Sequence, residues 1–184
     1  MICIIDCGTM WLENIKENLT DLDQSFKVID IDNIKNCNFN QFSGIIITGS
    51  PILLTKVDKQ NYINLFNFIK TTNTPILGIC FGHQIIGLTH GAKIEIGDMV
   101  KKKEQIEVVN QNGLFSGINN NSFFQEAHCE FIDLPNDFKL LAKSKSCTNE
   151  AMKHKSKNIY CVQFHPEVSS ECGKQIFINF LQNM

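Results

Sequence analysis

The sequence predicts an α/β fold with a mostly parallel central sheet, flanking helices and added antiparallel strands in its second half. Up to Gly91, short continuous apolar runs alternate with amphipathic helical segments, which is typical of a buried parallel sheet. After Gly91 the apolar residues fall into short alternating pieces, which is typical of antiparallel strands. Because 184 residues suit one domain, we expect a single unit spanning residues 1–184.

The first half reads as repeated strand and helix. Its predicted strands are Ile2–Cys7, Phe26–Ile31, Gly44–Thr48 and Pro75–Cys80. Apolar residues at helical spacing predict the intervening helices, which are a segment from Trp11 to Leu22, one over Asp58–Lys70 and one over Gln84–Leu88. Gly91 can end the last of these in a left-handed conformation.

The second half is predicted to add strands and one helix. The alternating pieces are Lys93–Ile96, Gln105–Val109, Ser122–Gln125, Phe138–Ala142 and Ile159–Phe164. Apolar residues from Ile176 to Leu181 recur at helical spacing and predict an amphipathic helix at the C-terminus.

Composition excludes several classes of protein. Seventeen basic and nineteen acidic residues give a net charge of −2, so no basic surface for nucleic acid or an anionic membrane is expected. The sequence shows no secretory signal and no membrane span, so we expect a cytoplasmic protein. No two of the eight cysteines have Cys-x-x-Cys spacing; we therefore expect reduced thiols, no metal site and no cofactor.

Cys80 has the local sequence of an activated nucleophile. The segment 78–82 is a cysteine version of the G-x-S-x-G elbow, in which glycines flank a nucleophile on a sharp strand-to-helix turn. The first helical N–H groups beyond Cys80, including that of Phe81, favour a thiolate and a developing oxyanion. The alternative is that Cys80 simply packs in the core, as free cysteines often do.

His165 is the candidate base for this thiol. It follows the predicted strand Ile159–Phe164, at the sheet edge where open α/β folds assemble their sites. Glu167, two residues further on, can accept the second imidazole N–H and hold the ring's tautomer. These residues predict a Cys80-His165-Glu167 triad, with a surface His-Pro-Glu turn as the alternative.

Other polar residues are candidates for substrate contacts. Gly49 and Ser50 follow a buried strand and should emerge at the same sheet edge, where their loop can supply a second oxyanion amide. Gln84, in the first turn after the elbow, can bind a substrate's polar end, although a helix-stabilising role fits equally. His128 is also a candidate, although partly buried polar histidines are more common than functional ones.

These motifs together resemble the class I glutamine amidotransferase family. Gly78-Ile79-Cys80-Phe81-Gly82-His83-Gln84 is similar to its nucleophile motif, and Val162-Gln163-Phe164-His165-Pro166-Glu167-Val168 to its histidine motif. The resemblance runs nearly end to end and implies a flavodoxin-like fold. The segment 150–154 is most similar to free-standing amidotransferase subunits of GMP synthase. Departures occur at Ser50, where the family usually has glycine, and at Ala127, where a serine usually precedes the histidine.

The resemblance implies an activity and a partner. Cys80 would attack the side-chain amide of L-glutamine, and the ammonia would pass to a separate ATP-dependent synthetase that makes GMP from xanthosine 5′-monophosphate (XMP), since 184 residues leave no room for that domain. A stand-alone hydrolase of γ-glutamyl peptides or amides is the enzymatic alternative. A catalytically inactive regulatory module is the non-enzymatic one.

Overall fold

The fold is built on one large twisted sheet. A computed structural model describes residues 1–111 and 113–184. The strands in that part of the chain are β1 (Ile2–Asp6), β2 (Phe26–Asp30), β3 (Gly44–Ile47), β4 (Ile76–Ile79), β5 (Ile94–Val100), β6 (Lys103–Gln105), β7 (Glu107–Val108), β8 (Phe123–Gln125), β9 (His128–Ile132), β10 (Phe138–Lys143), β11 (Ala151–His154) and β12 (Ile159–Val162). Eight of them form the main sheet in the order β2-β1-β3-β4-β12-β11-β10-β7.

The two halves of the sheet differ in direction as the sequence predicts. Neighbouring strands from β2 to β12 pair in parallel. From β12 through β11 and β10 to β7 the pairing is antiparallel. Two antiparallel ribbons, β5-β9 and β6-β8, lie beside the sheet. The carboxyl ends of the parallel strands therefore meet at one edge, which is where functional loops gather in such folds.

Helices cover both faces of the sheet. They are α1 (Leu12–Asp21), α2 (Lys59–Leu65), α3 (Phe68–Thr71), α4 (Phe81–Thr89) and α5 (Ser170–Gln182). One buried cluster joins β1 side chains such as Ile4 to α1 and α5, and the other joins Ile5 to α4 and the α2–α3 segment. The strands β3 and β4 are buried throughout, which explains their unbroken apolar sequence.

Four details differ from the sequence prediction. The piece Ile159–Phe164, predicted among the antiparallel strands, contains β12, which pairs in parallel with β4 on one side and antiparallel with β11 on the other. The helix expected over Asp58–Lys70 is divided after Leu65. The Phe66 N–H makes the last hydrogen bond of α2, and the N–H groups of Asn67 and Ile69 then bond to carbonyls three residues earlier, which makes the turn tighter. The strand expected over Gln105–Val109 is likewise divided at Ile106. The strands β9 and β11 were not predicted.

The strand β9 has polar residues at inward positions, whereas the inward residues of β11 are Ala151 and Met152. In β9 the buried positions are His128, Glu130 and Ile132, so the apolar alternation of a strand is absent. The residues of β11 pair between β10 and β12 in the antiparallel extension. No helix in the described part of the chain is long and apolar enough to cross a membrane.

Candidate active site

Cys80 occupies the turn between β4 and α4. Its backbone has φ 52° and ψ −102°, a conformation that residues with a side chain rarely adopt. The Cys80 N–H donates to the Val162 carbonyl at 2.8 Å, which fixes the turn to the end of β12. The sulfur is therefore presented at the carboxyl edge of the sheet, as a nucleophile elbow requires.

The two glycines of the elbow are required by close backbone contacts. A Cβ atom at Gly82 would lie 2.3 Å from the Ile47 carbonyl oxygen, and one at Gly78 would lie 2.7 Å from the Gly82 carbonyl oxygen. Neither contact can be relieved by a side-chain rotation, because both partners are backbone atoms. The spacing of glycines around Cys80 thus follows from the packing of α4 against β3.

His165 is held on the opposite wall by its backbone. Its N–H donates to the Gln125 carbonyl at 2.8 Å, and its carbonyl accepts the Ser169 hydroxyl at 2.6 Å. A short 3₁₀ turn over Pro166–Val168 brings Glu167 back toward the ring. Glu167 Oε1 lies 2.8 Å from His165 Nδ1, so the carboxylate orients the imidazole as predicted for a base and its orienting residue.

The electrostatics of this pair favour a charged imidazole. Burial alone would lower the pKa of His165, but the negative charges of Cys80 and Glu167, with hydrogen bonds to both side chains, raise it to about 10. Glu167 engages Nδ1, which leaves Nε2 as the ring nitrogen that can exchange a proton with the thiol across the shared cavity. A ring protonated at neutral pH can donate a proton to a leaving group.

Cys80 and His165 share a cavity of about 370 Å³. This is large enough for an amino acid side chain and its backbone groups. Its lining residues are Gly8, Thr9, Met10, Trp11, Ser50, Pro51, Cys80, Ala127 and His165.

The loop after β3 forms one wall of the cavity. Ser50 lines it, and a Cβ atom at Gly49 would lie 2.9 Å from His165 Cε1 and 3.6 Å from Cys80 Cβ. The absence of a side chain at Gly49 therefore lets this loop approach both groups. Phe81 is buried, and its N–H belongs to the first turn of α4, where helical N–H groups lack intrahelical acceptors.

Two predicted substrate contacts lie behind the cavity wall. The amide nitrogen of Gln84 donates to the Glu130 carbonyl at 2.9 Å and to Gln163 Oε1 at 3.1 Å, so this group is used within the protein. His128 is 5% exposed, and its Nδ1 donates to the Glu130 carbonyl at 3.1 Å. Neither side chain lines the cavity, so this geometry gives no support to a substrate contact by Gln84 or His128.

Two residues beside the site were missed by the sequence analysis. Gln163 Nε2 lies 3.5 Å from Cys80 Sγ and is completely buried. The Trp11 ring packs edge-on against His165, with centroids 4.3 Å apart. Gln163 lies inside the histidine motif and Trp11 directly follows the first strand-end turn. Position after a buried strand was thus the available signal for Trp11.

The whole chain matches known proteins. The family model described as glutamine amidotransferase class-I matches residues 3–184. A Thermococcus kodakarensis protein, named as one of the subunits of glutamine-hydrolyzing GMP synthase, is 36% identical, with 99% of this chain and 97% of that protein covered. The Pyrococcus abyssi protein of the same name is 35% identical, with 98% and 96% covered.

Solved structures agree with the fold. A Thermoplasma acidophilum protein provisionally assigned to GMP synthase superposes with a TM-score of 0.90 at 29% identity, covering 99% of this chain and 92% of that one. A glutamine amidotransferase of Thermotoga maritima gives 0.78 at 19% identity, covering 98% and 82%, which supports the fold alone. The chain therefore belongs to the class-I glutamine amidotransferase family.

Proposed function

We propose that the chain hydrolyses the side-chain amide of L-glutamine with Cys80 as nucleophile, His165 as acid and base, and Glu167 as the orienting carboxylate. The observation that supports this best is that Cys80 and His165, 85 residues apart in sequence, line one cavity, and that Glu167 lies 2.8 Å from the His165 ring. The thiol sits on a strained elbow, and the imidazole lines the same cavity and is held by the carboxylate. This is the arrangement that acyl transfer through a thioester needs.

The reaction proceeds in two halves. The Cys80 sulfur attacks the amide carbon of glutamine, and the tetrahedral intermediate collapses as His165 gives its proton to the departing nitrogen, which leaves as ammonia. His165 then takes a proton from water, whose oxygen attacks the γ-glutamyl thioester. Collapse of the second intermediate releases glutamate and returns the sulfur to its starting state.

The oxyanion of each intermediate needs two donors near Cys80. The Phe81 N–H at the start of α4 is one, and an amide of the Gly49-Ser50 loop is the other. A Cβ atom at Gly49 would lie 2.9 Å from His165 Cε1 and 3.6 Å from Cys80 Cβ, so the loop backbone passes close to both residues, which supports this assignment. Each such donor contributes roughly 3 kcal/mol to transition-state stabilisation in comparable enzymes.

The ammonia is proposed to pass to a separate ATP-dependent synthetase that converts XMP to GMP. The support is that the similar archaeal proteins are each named as one of the subunits of GMP synthase, which implies a further subunit. We further propose that residues 1–184 act as one amidotransferase domain, because buried cores on both sheet faces extend from β1 to α5. A cytoplasmic location fits the eight unpaired thiols.

The test is glutamate and ammonia release from L-glutamine by the wild-type chain and by Cys80→Ser. The variant is expected to lose at least a thousandfold in kcat while keeping its circular dichroism spectrum. Cys37→Ser, which removes a partly exposed thiol that does not line the cavity, is the matched control. Full activity in Cys80→Ser would overturn the proposal.

Two further experiments distinguish the proposed function from a stand-alone hydrolase and from an inactive module. Addition of the synthetase with ATP and XMP should raise the glutaminase rate, whereas unchanged hydrolysis and faster cleavage of γ-glutamyl peptides would favour a stand-alone hydrolase. An electrophilic glutamine analogue should add one mass equivalent to the wild-type chain and none to Cys80→Ser. No labelling of the wild type would favour an inactive module.

A further inference from the structure

Three buried side chains behind the cavity wall form a cluster that the proposed glutamine chemistry does not use. Glu126 lies between β8 and β9, His128 begins β9, and Glu150 precedes β11. Their exposed fractions are 0%, 5% and 0%. One potential ligand atom from each residue lies within 4.8 Å of the other two. We call these three residues the Glu-His-Glu cluster.

The histidine presents a lone pair to the cluster. Its Nδ1 faces the Glu130 carbonyl oxygen, which can only accept, so Nδ1 carries the proton. The neutral ring therefore has its lone pair on Nε2, which lies 3.4 Å from Glu126 Oε2. This arrangement, with one ring nitrogen tied to a backbone carbonyl and the other free, is the one that metal-binding histidines use.

Both carboxylates also have oxygen atoms that find no hydrogen-bond partner among the described residues. Glu150 Oε1 accepts a hydrogen bond from the Ser144 hydroxyl at 2.6 Å, which fixes the carboxylate and leaves Oε2 available to a ligand. Within the part of the chain that is described, Glu150 Oε2, both Glu126 oxygens and His128 Nε2 are buried without a hydrogen-bond partner. Buried polar atoms are rarely left so, because each costs about 1–3 kcal/mol.

We propose that the Glu-His-Glu cluster binds a divalent first-row transition-metal cation such as Zn²⁺, through Glu126, His128 Nε2 and Glu150 Oε2. One imidazole and two carboxylates are a donor set that such cations favour. Ligands at the usual Zn–N and Zn–O lengths stand roughly 3.4 Å apart around a tetrahedral ion. The separation of His128 Nε2 and Glu126 Oε2 matches that value.

The cation would act as a positioning element for the active site. The segment 125–128 that it fixes includes Ala127, which lines the cavity, and Gln125, whose carbonyl holds the His165 N–H. Cys80 and Glu167 are not ligands in this arrangement. The proposed role is therefore to hold the wall on which His165 is mounted. It departs from the expectation of no metal site, which was based on cysteine spacing.

Protons are the competing occupants of the cluster. Burial raises the pKa of Glu126 to about 8 and that of Glu150 well above its usual range, so carboxylic acids can also satisfy these atoms. The two possibilities differ in whether a metal binds saturably at this place. A metal titration therefore distinguishes them.

The full-length chain, stripped with a chelator, is titrated with Co²⁺ as a spectroscopic probe. Binding at the cluster should saturate at one equivalent, with visible ligand-field bands and without the near-ultraviolet charge-transfer band of a cobalt thiolate. Added Zn²⁺ should bleach the bands and raise the melting temperature. X-ray absorption of the zinc-loaded chain should show only nitrogen and oxygen neighbours, and this measurement needs no variant.

Variants locate the site. Glu126→Gln and Glu150→Gln keep side-chain size and should weaken Co²⁺ binding at least tenfold and remove the thermal shift. Glu107→Gln is the control, because Glu107 is an exposed carboxylate that pairs with Lys143. No saturable binding up to millimolar Co²⁺, sulfur in the first shell, or equal binding by Glu126→Gln would each overturn the proposal.

Discussion

Cys80 holds a backbone conformation that a residue with a Cβ atom adopts only under constraint. Its φ of 52° and ψ of −102° are imposed by the hydrogen bond to Val162 and by the packing of α4 on β3. Backbone strain of this kind costs about 1–3 kcal/mol and is concentrated at functional sites. Holding the thiol in this position therefore lowers the free energy of unfolding.

Replacing Cys80 by glycine should release this strain. We expect Cys80→Gly to be more stable than Cys80→Ala by about 1–2 kcal/mol, because only alanine keeps the unfavourable Cβ. At an unstrained position the order is reversed, since glycine loses more backbone entropy on folding. Urea denaturation of the two variants measures the difference. An alanine variant as stable as the glycine variant would show that the elbow is not strained.

His165 should titrate differently when its carboxylate partner is removed. Burial opposes the charged ring while Cys80 and Glu167 favour it, so Glu167→Gln should lower the pKa of His165 from about 10. Because this pKa is raised above the unfolded value of 6.5, its contribution to stability is complete below that pH. This stabilisation is lost as the pH rises through about 10, and Glu167→Gln should lose it at a lower pH.

The measurement is the pH titration of the His165 ring protons by NMR, with the signal assigned by its loss in His165→Gln. Glu171→Gln, which changes an exposed carboxylate in the first turn of α5, is the control and should leave the curve unchanged. An unaltered curve in Glu167→Gln would contradict the assigned electrostatics.

At the scale of elements, Glu130 joins β9 to the loop after β3. Its two carboxylate oxygens accept the N–H groups of Leu54 and Thr55 at 2.8 and 2.7 Å, and its carbonyl accepts from Gln84 and His128. This side chain is buried, so it links the cavity loop to the strand behind the wall.

Removing the Glu130 carboxylate should loosen that loop. Charge-assisted hydrogen bonds contribute about 1.5–3 kcal/mol each, so we expect Glu130→Gln, which turns a donor toward one N–H, to destabilise the fold by about 2–4 kcal/mol. Amide hydrogen exchange at Leu54 and Thr55 should accelerate, and urea denaturation gives the energy. The exposed Glu107→Gln is the control. Unchanged exchange at both amides would refute this role.

Predicted strands and missed strands differ in the side chains that face the core. The parallel strands are buried on both sides, so their apolar runs identify them directly. In β9 the inward positions are taken by His128 and Glu130, and an apolar pattern is absent because polar contacts replace it. The common location of Cys80, His165 and Glu167 at one sheet edge was predictable because each follows a strand. The Glu-His-Glu cluster was not, because Glu150 is remote in sequence from Glu126.

Across the whole molecule, the cysteines fall into distinct environments. In the described structure all eight are unpaired, and Cys37, Cys129 and Cys172 are partly exposed while Cys80 opens onto the cavity. The buried ones are Cys3, Cys7, Cys147 and Cys161. Burial raises the pKa of all four, that of Cys3 to about 12. They are therefore both inaccessible and protonated.

A thiol titration should separate these groups. We expect four thiols to react in the native chain and the other four only in denaturant, with Cys80→Ser losing one from the native count. The melting temperature should be the same with and without reductant, because the described structure has no disulfide to break. A reductant-dependent melting temperature, or eight reactive thiols in the native chain, would contradict the described packing.

The single tryptophan of the chain, Trp11, lies against His165. All of the indole emission of this protein therefore originates beside one imidazole, at a distance where a ring cation interacts with the indole. Protonation or deprotonation of that imidazole should change the fluorescence intensity of Trp11. The molecule thus carries its own optical reporter, and stopped-flow fluorescence can follow turnover without any attached dye.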